Sequence, residues 1–256
     1  MKRYFLQLLI VIFFLCLNVI FVFQGNAQNL NEINFYTTNM GAYSNPQSKT
    51  QPGLLVELVE ELCRLSGLTP TFSTLPWKRA LVTIGEDAAS GLIFPVIRTP
   101  EREKRYRWLI RPITDREVFI AKGRNQPPST LEELKTKRIG VIRGSPFEKA
   151  IQQMQFPHID IATDANSNAK KLLMGRTDYW FATYNTMSFT FRSLGYDPQE
   201  LTIAYTVAPA PIYIAANKSF PEESAQKLIV AFRKVRKSAW YTQLLQRYDA
   251  VDISDE

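Results

Sequence analysis

The feature that most constrains this chain is a sustained alternation of short apolar runs with longer helical patterns. Residues 33–37 read as a strand, and Leu55, Leu58, Val59, Leu62 and Leu65 then recur at helical spacing until Gly67 offers a C-cap. A strand at 71–74, a helix from Trp77 to about Ile84 and an apolar run at 92–97, which suits a buried parallel strand, come next. Strand-then-helix units of this kind specify an α/β sheet. After the Pro-rich break Gln126-Pro127-Pro128 the alternation resumes. Thr130 and Glu133 form a capping box, 138–142 a strand, and Ser145-Pro146-Phe147-Glu148 a second capping box with Pro at the first helical position. A strand at 158–163, a helix at 165–174 closed by Gly175, a buried strand at 179–182 and a helix to Leu194 follow. Two extended runs, 201–206 and 212–216, then lead into a basic amphipathic helix at 221–237 and a last helix near 240–248. Two α/β units joined through a Pro-rich break predict two lobes, with ligand chemistry in the loops at the carboxyl ends of the strands. No internal repeat points to a solenoid or propeller.

The composition narrows the chemistry. The chain has 256 residues, 45% of them hydrophobic, and a single His. One His excludes His-rich metal sites, and any Ser-His-Asp or Cys-His pair has to pass through His158. Lys2 and Arg3 precede an apolar run over residues 4–23, and Gly25-Asn26-Ala27 supplies small residues where a signal peptidase acts. Residues 1–27 therefore read as a cleaved secretory signal, against the rival reading of an uncleaved anchor, since the run approaches the ~20 residues that span a bilayer. Cys16 lacks the small preceding residue of a lipidated Cys. Without the leader, 29 basic residues face 24 acidic ones, a charge of only +5. Cys63 is then the one thiol of the mature chain, so no intramolecular disulfide is expected, and its helical, apolar setting predicts a buried thiol.

No glycine-rich phosphate fingerprint, Walker loop, metal-ligand cluster or nucleophile elbow occurs. What remains is chemistry for binding anions. Arg98-Thr99-Pro100-Glu101-Arg102 follows the 92–97 strand: Thr99 can cap, Pro100 can open a turn, and an Arg102 fork beside free N–H groups can grip a carboxylate. A solvated basic face is an equal reading, because Lys104, Arg105 and Arg107 continue the run. Arg143-Gly144-Ser145-Pro146 places a glycine and a helix start after another strand, although ordinary capped helices are far commoner than anion sites. Trp77 opens a helix after Pro76 and reads as core unless a ligand stacks on it. Interleaved acids, the modest charge and the leader argue against nucleic acid.

Taken in order, Pro52-Gly53-Leu54-Leu55-Val56-Glu57-Leu58, Pro76-Trp77-Lys78-Arg79-Ala80, Arg98-Thr99-Pro100-Glu101-Arg102-Glu103, Leu131-Glu132-Glu133-Leu134-Lys135 leading into Arg138-Ile139-Gly140-Val141-Ile142-Arg143-Gly144-Ser145, and Gly175-Arg176-Thr177-Asp178 resemble bacterial extracellular solute-binding protein family 3. These are periplasmic receptors for polar amino acids that feed ABC transporters. The resemblance covers nearly the whole mature chain. It implies a two-lobed periplasmic-binding-protein fold of type II, with lobe 1 at 28–120 plus 209–256, lobe 2 at 121–208, and a ligand cleft between them that closes by hinge motion. By the same resemblance Arg102 grips the ligand carboxylate with Thr99 nearby, Gly144 and Ser145 supply donors from lobe 2, and Trp77 and Tyr43 shape the pocket. The α-ammonium partner of amino-acid receptors, an Asp, falls on Thr183, followed by Tyr184. A hydroxyl cannot neutralise an ammonium, and Pro146 has no N–H to donate. The ligand implied is a carboxylate or modified amino acid; Glu57 and Asp115 are the other acids considered.

The reading is a periplasmic binding protein without cofactor, metal or catalysis, monomeric, whose partners are a small carboxylate or amino-acid-like ligand and the permease of an ABC transporter. Two rivals use the same fold: a dehydratase-like lyase, and a sensing module for a separate signalling protein.

Overall fold

The computed structural model describes residues 31–41, 43–86, 91–123 and 130–254. The leader at 1–27, with Cys16, and the Pro-rich break at 126–128 lie outside the described residues. Eight strands, β1 (Glu32–Thr37), β2 (Thr69–Thr74), β3 (Gly91–Ile97), β4 (Arg107–Lys122), β5 (Ile139–Ile142), β6 (Ile159–Ala162), β7 (Tyr179–Thr183) and β8 (Leu201–Ala216), form a sheet in the order β2-β1-β3-β8-β4-β7-β5-β6. The helices are α1 (Leu54–Ser66), α2 (Trp77–Glu86), α3 (Pro100–Glu103), α4 (Leu131–Lys135), α5 (Pro146–Gln153), α6 (Ala165–Leu173), α7 (Tyr184–Ser193), α8 (Glu222–Val235) and α9 (Ala239–Arg247).

Local chemistry accounts for most boundaries. Gly67 closes α1 in the left-handed conformation at φ 68°, where a Cβ would be strained. Thr130 and Ser145 accept the Glu133 and Glu148 N–H groups at 3.3 and 3.2 Å, as their capping sequences predict. The reciprocal carboxylate of the second box is displaced by one residue: Glu148 accepts from Gly144 N–H at 2.5 Å. Thr99 departs from expectation. It stands in the extended N-cap conformation of α3, but its hydroxyl makes no capping bond and is buried with no partner among the described residues.

The long antiparallel pair β4–β8 organises the sheet, running from Arg107↔Ala216 to Lys122↔Leu201. Sequence reasoning assigned no element to 107–122 and split 201–216 in two. Charged and apolar residues of β4 are interspersed, which hides the strand. Pro209 and Pro211 separate the two halves of β8, yet β3 reaches only Ile212. Before that point β8 has an open edge, where a missing N–H breaks no ladder.

Two large apolar cores flank this pair. One packs Phe35 of β1, Leu54, Leu58 and Leu62 of α1, Phe94 of β3 and Leu228 of α8 against Ile110, Ile113, Ile212 and Ile214. The other packs Leu134, Val141, Ile151, Leu172 and Trp180 against Val118, Phe119, Ile120 and Ala204. Each fully buried Leu contributes roughly 1.5–3 kcal/mol, so the apolar stripe of α1 is a principal anchor of the first. Cys63 on that stripe is buried as expected, and burial pushes its thiol up to about 12. Between the two cores β4 carries Thr114, Asp115, Arg116 and Glu117, a polar interval where the long strands cross from one core to the other.

Candidate functional site

A cavity of about 400 Å³ opens between the two cores, within the size range of small-molecule sites. Its walls come from carboxyl ends of strands. The segment after β1 contributes Asn39, Met40 and Tyr43, the start of α2 Trp77 and Lys78, and β3 with α3 Ile97 and Arg102. Facing them, the turn after β5 contributes Arg143, Gly144 and Ser145, the segment after β6 Thr163 and Asp164, and β7 Phe181 and Thr183. This is where open α/β sheets place ligands.

Of the residues singled out from sequence, Arg102, Trp77, Tyr43, Gly144, Ser145 and Thr183 line this cavity, whereas Thr99 and Tyr184 do not. Tyr184 instead lies under the Arg116 guanidinium, 5.7 Å from ring centroid to Cζ.

Arg102 is the inward-facing member of the Arg98–Arg105 run; Arg98, Lys104 and Arg105 are exposed. The turn opened by Pro100 aims it back, so that Nη1 donates to Ile97 O at 3.0 Å and the guanidinium lies 6.0 Å from the Trp77 ring centroid. Burial lowers its pKa from the usual guanidinium value. Among the described residues no carboxylate pairs with it, so a desolvated cation faces the cavity with donors to spare. Arg98 turns the other way, into a two-bond ion pair with Glu103 at 2.5 and 2.6 Å.

The opposite wall differs from the expected donor set. Ser145 N–H is taken by Ile142 O at 3.1 Å, and Gly144 N–H by Glu148. Pro146 has none. The charged donor on that wall is the exposed Arg143. Sequence reasoning missed Lys78, Thr163 and Asp164 as lining residues. Lys78 stands next to Trp77 in a run already singled out, and Asp164 follows a strand end, which was the available signal. Asp164 caps α6: Oδ1 accepts from Ser167 N–H and Oδ2 from the Ser167 and Thr163 hydroxyls, each at 2.8 Å. Partial burial acts to raise its pKa, and these bonds together with the Asn166 N–H outweigh that and hold it below the usual carboxylate value.

Thr183 pairs its hydroxyl with that of Thr186 at 2.8 Å. Asp115 lies beneath, outside the lining, bonded to Tyr43 and to backbone N–H groups; Glu57 is on α1, engaged by Arg247 and Tyr248. His158 is exposed and outside the cavity. Glu101 of α3 and Lys149 of α5, both outside the cavity lining, form an ion pair that links the helix carrying Arg102 to the one that begins at Pro146.

No family model matches the chain. It is 23% identical over 202 residues to the putative ABC transporter arginine-binding protein 2 of Escherichia coli K12, covering 77% of this chain and 81% of that protein. It is 25% identical over 129 residues to the L-cystine-binding protein TcyJ of the same strain, about half of each chain, at 49% and 48%. Among solved structures, a histidine kinase sensor domain with similarity to periplasmic binding proteins superposes with a TM-score of 0.72 at 13% identity, covering 85% of this chain and 95% of that one. The resemblance seen in the sequence therefore holds: the chain is similar to amino-acid-binding proteins of ABC transporters, and its fold is the two-lobed α/β fold of periplasmic binding proteins.

Proposed function

We propose that this chain is a periplasmic solute-binding protein that captures a small polar carboxylate or amino-acid-like ligand between two lobes and delivers it to the permease of an ABC transporter. The observation that carries the reading is Arg102, a desolvated guanidinium without a carboxylate partner among the described residues, facing a ligand-sized cavity walled from both sides. Lobe 1 is assigned to 28–120 with 209–256 and lobe 2 to 121–208. The separation of two apolar cores along β4 and β8 supports that division, although Val118–Ile120 already pack into the second core.

Closure follows from population shift: a ligand bonded to both walls favours the closed arrangement, which a membrane partner then recognises. Export through the apolar leader and action as a monomer belong to the same reading. So does binding without turnover. Asp164 is held as a helix cap and His158 is outside the cavity, which leaves no poised acid–base pair among the described lining residues.

A thermal-shift screen of the mature protein against amino acids and small carboxylates tests this. Ligand at about 100 times its dissociation constant adds about 2.7 kcal/mol of stability, well within detection. Silence across every carboxylate contradicts the reading, and product formation from prephenate-like acids contradicts the absence of turnover. A sensing role is the second reading, favoured by the likeness to a sensor domain; a signalling partner in place of a permease distinguishes it.

A further inference from the structure

We infer that the cavity selects an organic acid with a carboxylate and an apolar, ring-sized body but no free ammonium group. The inference rests on the solute-binding reading above and narrows its ligand. It departs from arginine and cystine, the ligands in the names of the similar proteins, both of which carry an α-ammonium.

Charge is the first argument. Among the described residues, Lys78, Arg102 and Arg143 line the cavity against one acid, Asp164. Three donors already occupy the Asp164 carboxylate, which offers about four acceptor sites in all. Turning it toward a ligand cation would also strip the N-cap of α6, so it is poorly placed to neutralise an ammonium among three cations.

Position is the second. Beside the cavity end of β7 stand the Thr183 and Thr186 hydroxyls, bonded to each other and uncharged. The buried carboxylate on β4, Asp115, is consumed by Tyr43, the Asn185 and Arg116 N–H groups and the Thr183 hydroxyl, and does not line the cavity. An ammonium brought here would lose water and meet no free counter-charge, which selects against it.

The third is the remaining wall. Trp77, Phe147, Met40, Ile97, Ile142 and Phe181 are apolar and continuous with the Arg102 anchor. Trp77, already beneath the guanidinium, offers a ring face to a planar body.

Calorimetry with matched pairs tests this: 3-phenylpropionate against L-phenylalanine and glutarate against L-glutamate, with L-arginine and L-cystine alongside. The expected result is binding of the acids without an ammonium at least about tenfold tighter than of their amino counterparts. Within that series 3-phenylpropionate is the tightest, and its affinity falls as salt rises. Equal or tighter binding of the amino acids overturns the inference and leaves the receptor reading in place. Absence of binding by every compound of the series, amino acids included, overturns the receptor reading and this inference together. As a check on the site, Arg102→Gln removes binding without lowering the thermal midpoint; retained binding by that variant also overturns the inference.

Discussion

The Tyr43 hydroxyl donates a 2.6 Å hydrogen bond to Oδ2 of Asp115, and both groups are buried. Asp115 also accepts from Arg116 N–H at 2.7 Å and Asn185 N–H at 3.0 Å. Asn185 bonds Val251 through both ends of its amide, at 2.9 Å each. One buried network thus joins a cavity wall, the crossing strand β4, the start of α7 and the C-terminal segment. An aromatic singled out as a pocket residue is therefore also a structural tie, and burial with the adjacent carboxylate raises its phenol pKa.

Removing that hydroxyl tests the tie. Tyr43→Phe leaves Asp115 with the Arg116 and Asn185 N–H donors and the Thr183 hydroxyl, and should cost about 1–2 kcal/mol. Urea unfolding reads this as a lower midpoint at unchanged slope. An unchanged midpoint means the network is dispensable.

Gly53 holds the same loop from below. At φ 106° its absent Cβ would stand 2.7 Å from Ser44 N and 2.8 Å from Ser44 Cα, and that backbone cannot yield cheaply. Gly53→Ala should cost about 2–4 kcal/mol in the same unfolding measurement, because strain and overlap add.

Glu117, in the polar interval of β4, carries a pH signature. Burial pushes its carboxyl up to about 7 from an ordinary value of 4.5. Between those pH values the unfolded chain has released this proton while the folded chain keeps it, so the group's contribution to stability falls as pH rises through that window. The stability of Glu117→Gln relative to the parent should therefore rise from about pH 4.5 to about pH 7 and be level on either side. A flat difference would show that the carboxyl titrates normally.

The Glu101–Lys149 ion pair joins α3 to α5, both ends largely exposed. If it helps hold the two helices together, Glu101→Gln should weaken ligand binding about two- to fivefold at low salt and have no effect at high salt, since exposed pairs are weak and screened. A salt-independent loss would assign Glu101 another role.

The strand-and-helix alternation made the two sheet halves legible, because period and capping chemistry are local. The long strands β4 and β8 were not. Arg107 to Lys122 mixes charge with apolar residues because its two ends face different cores, and the prolines of β8 are tolerated only because β3 stops at Ile212. At the site, pattern alone left Arg102 even with a solvated basic face and read Trp77 as core; the resemblance singled out both, together with Tyr43, and all three line the cavity. Thr99 and Tyr184 are outside the cavity lining, one as the N-cap of α3 and the other as the first residue of α7 against Arg116. That the Gly144 and Ser145 N–H groups are already bonded could not be read, since it depends on where Glu148 and Ile142 point.

The central claim is that Arg102 is the carboxylate anchor of a closing cleft. Isothermal calorimetry of Arg102→Ala against the parent, with the tightest carboxylate ligand found, tests it most directly. The account predicts at least about a hundredfold loss of affinity, as for removal of a buried charged hydrogen-bonding partner, with the thermal midpoint of the free protein preserved. Unchanged affinity would contradict it.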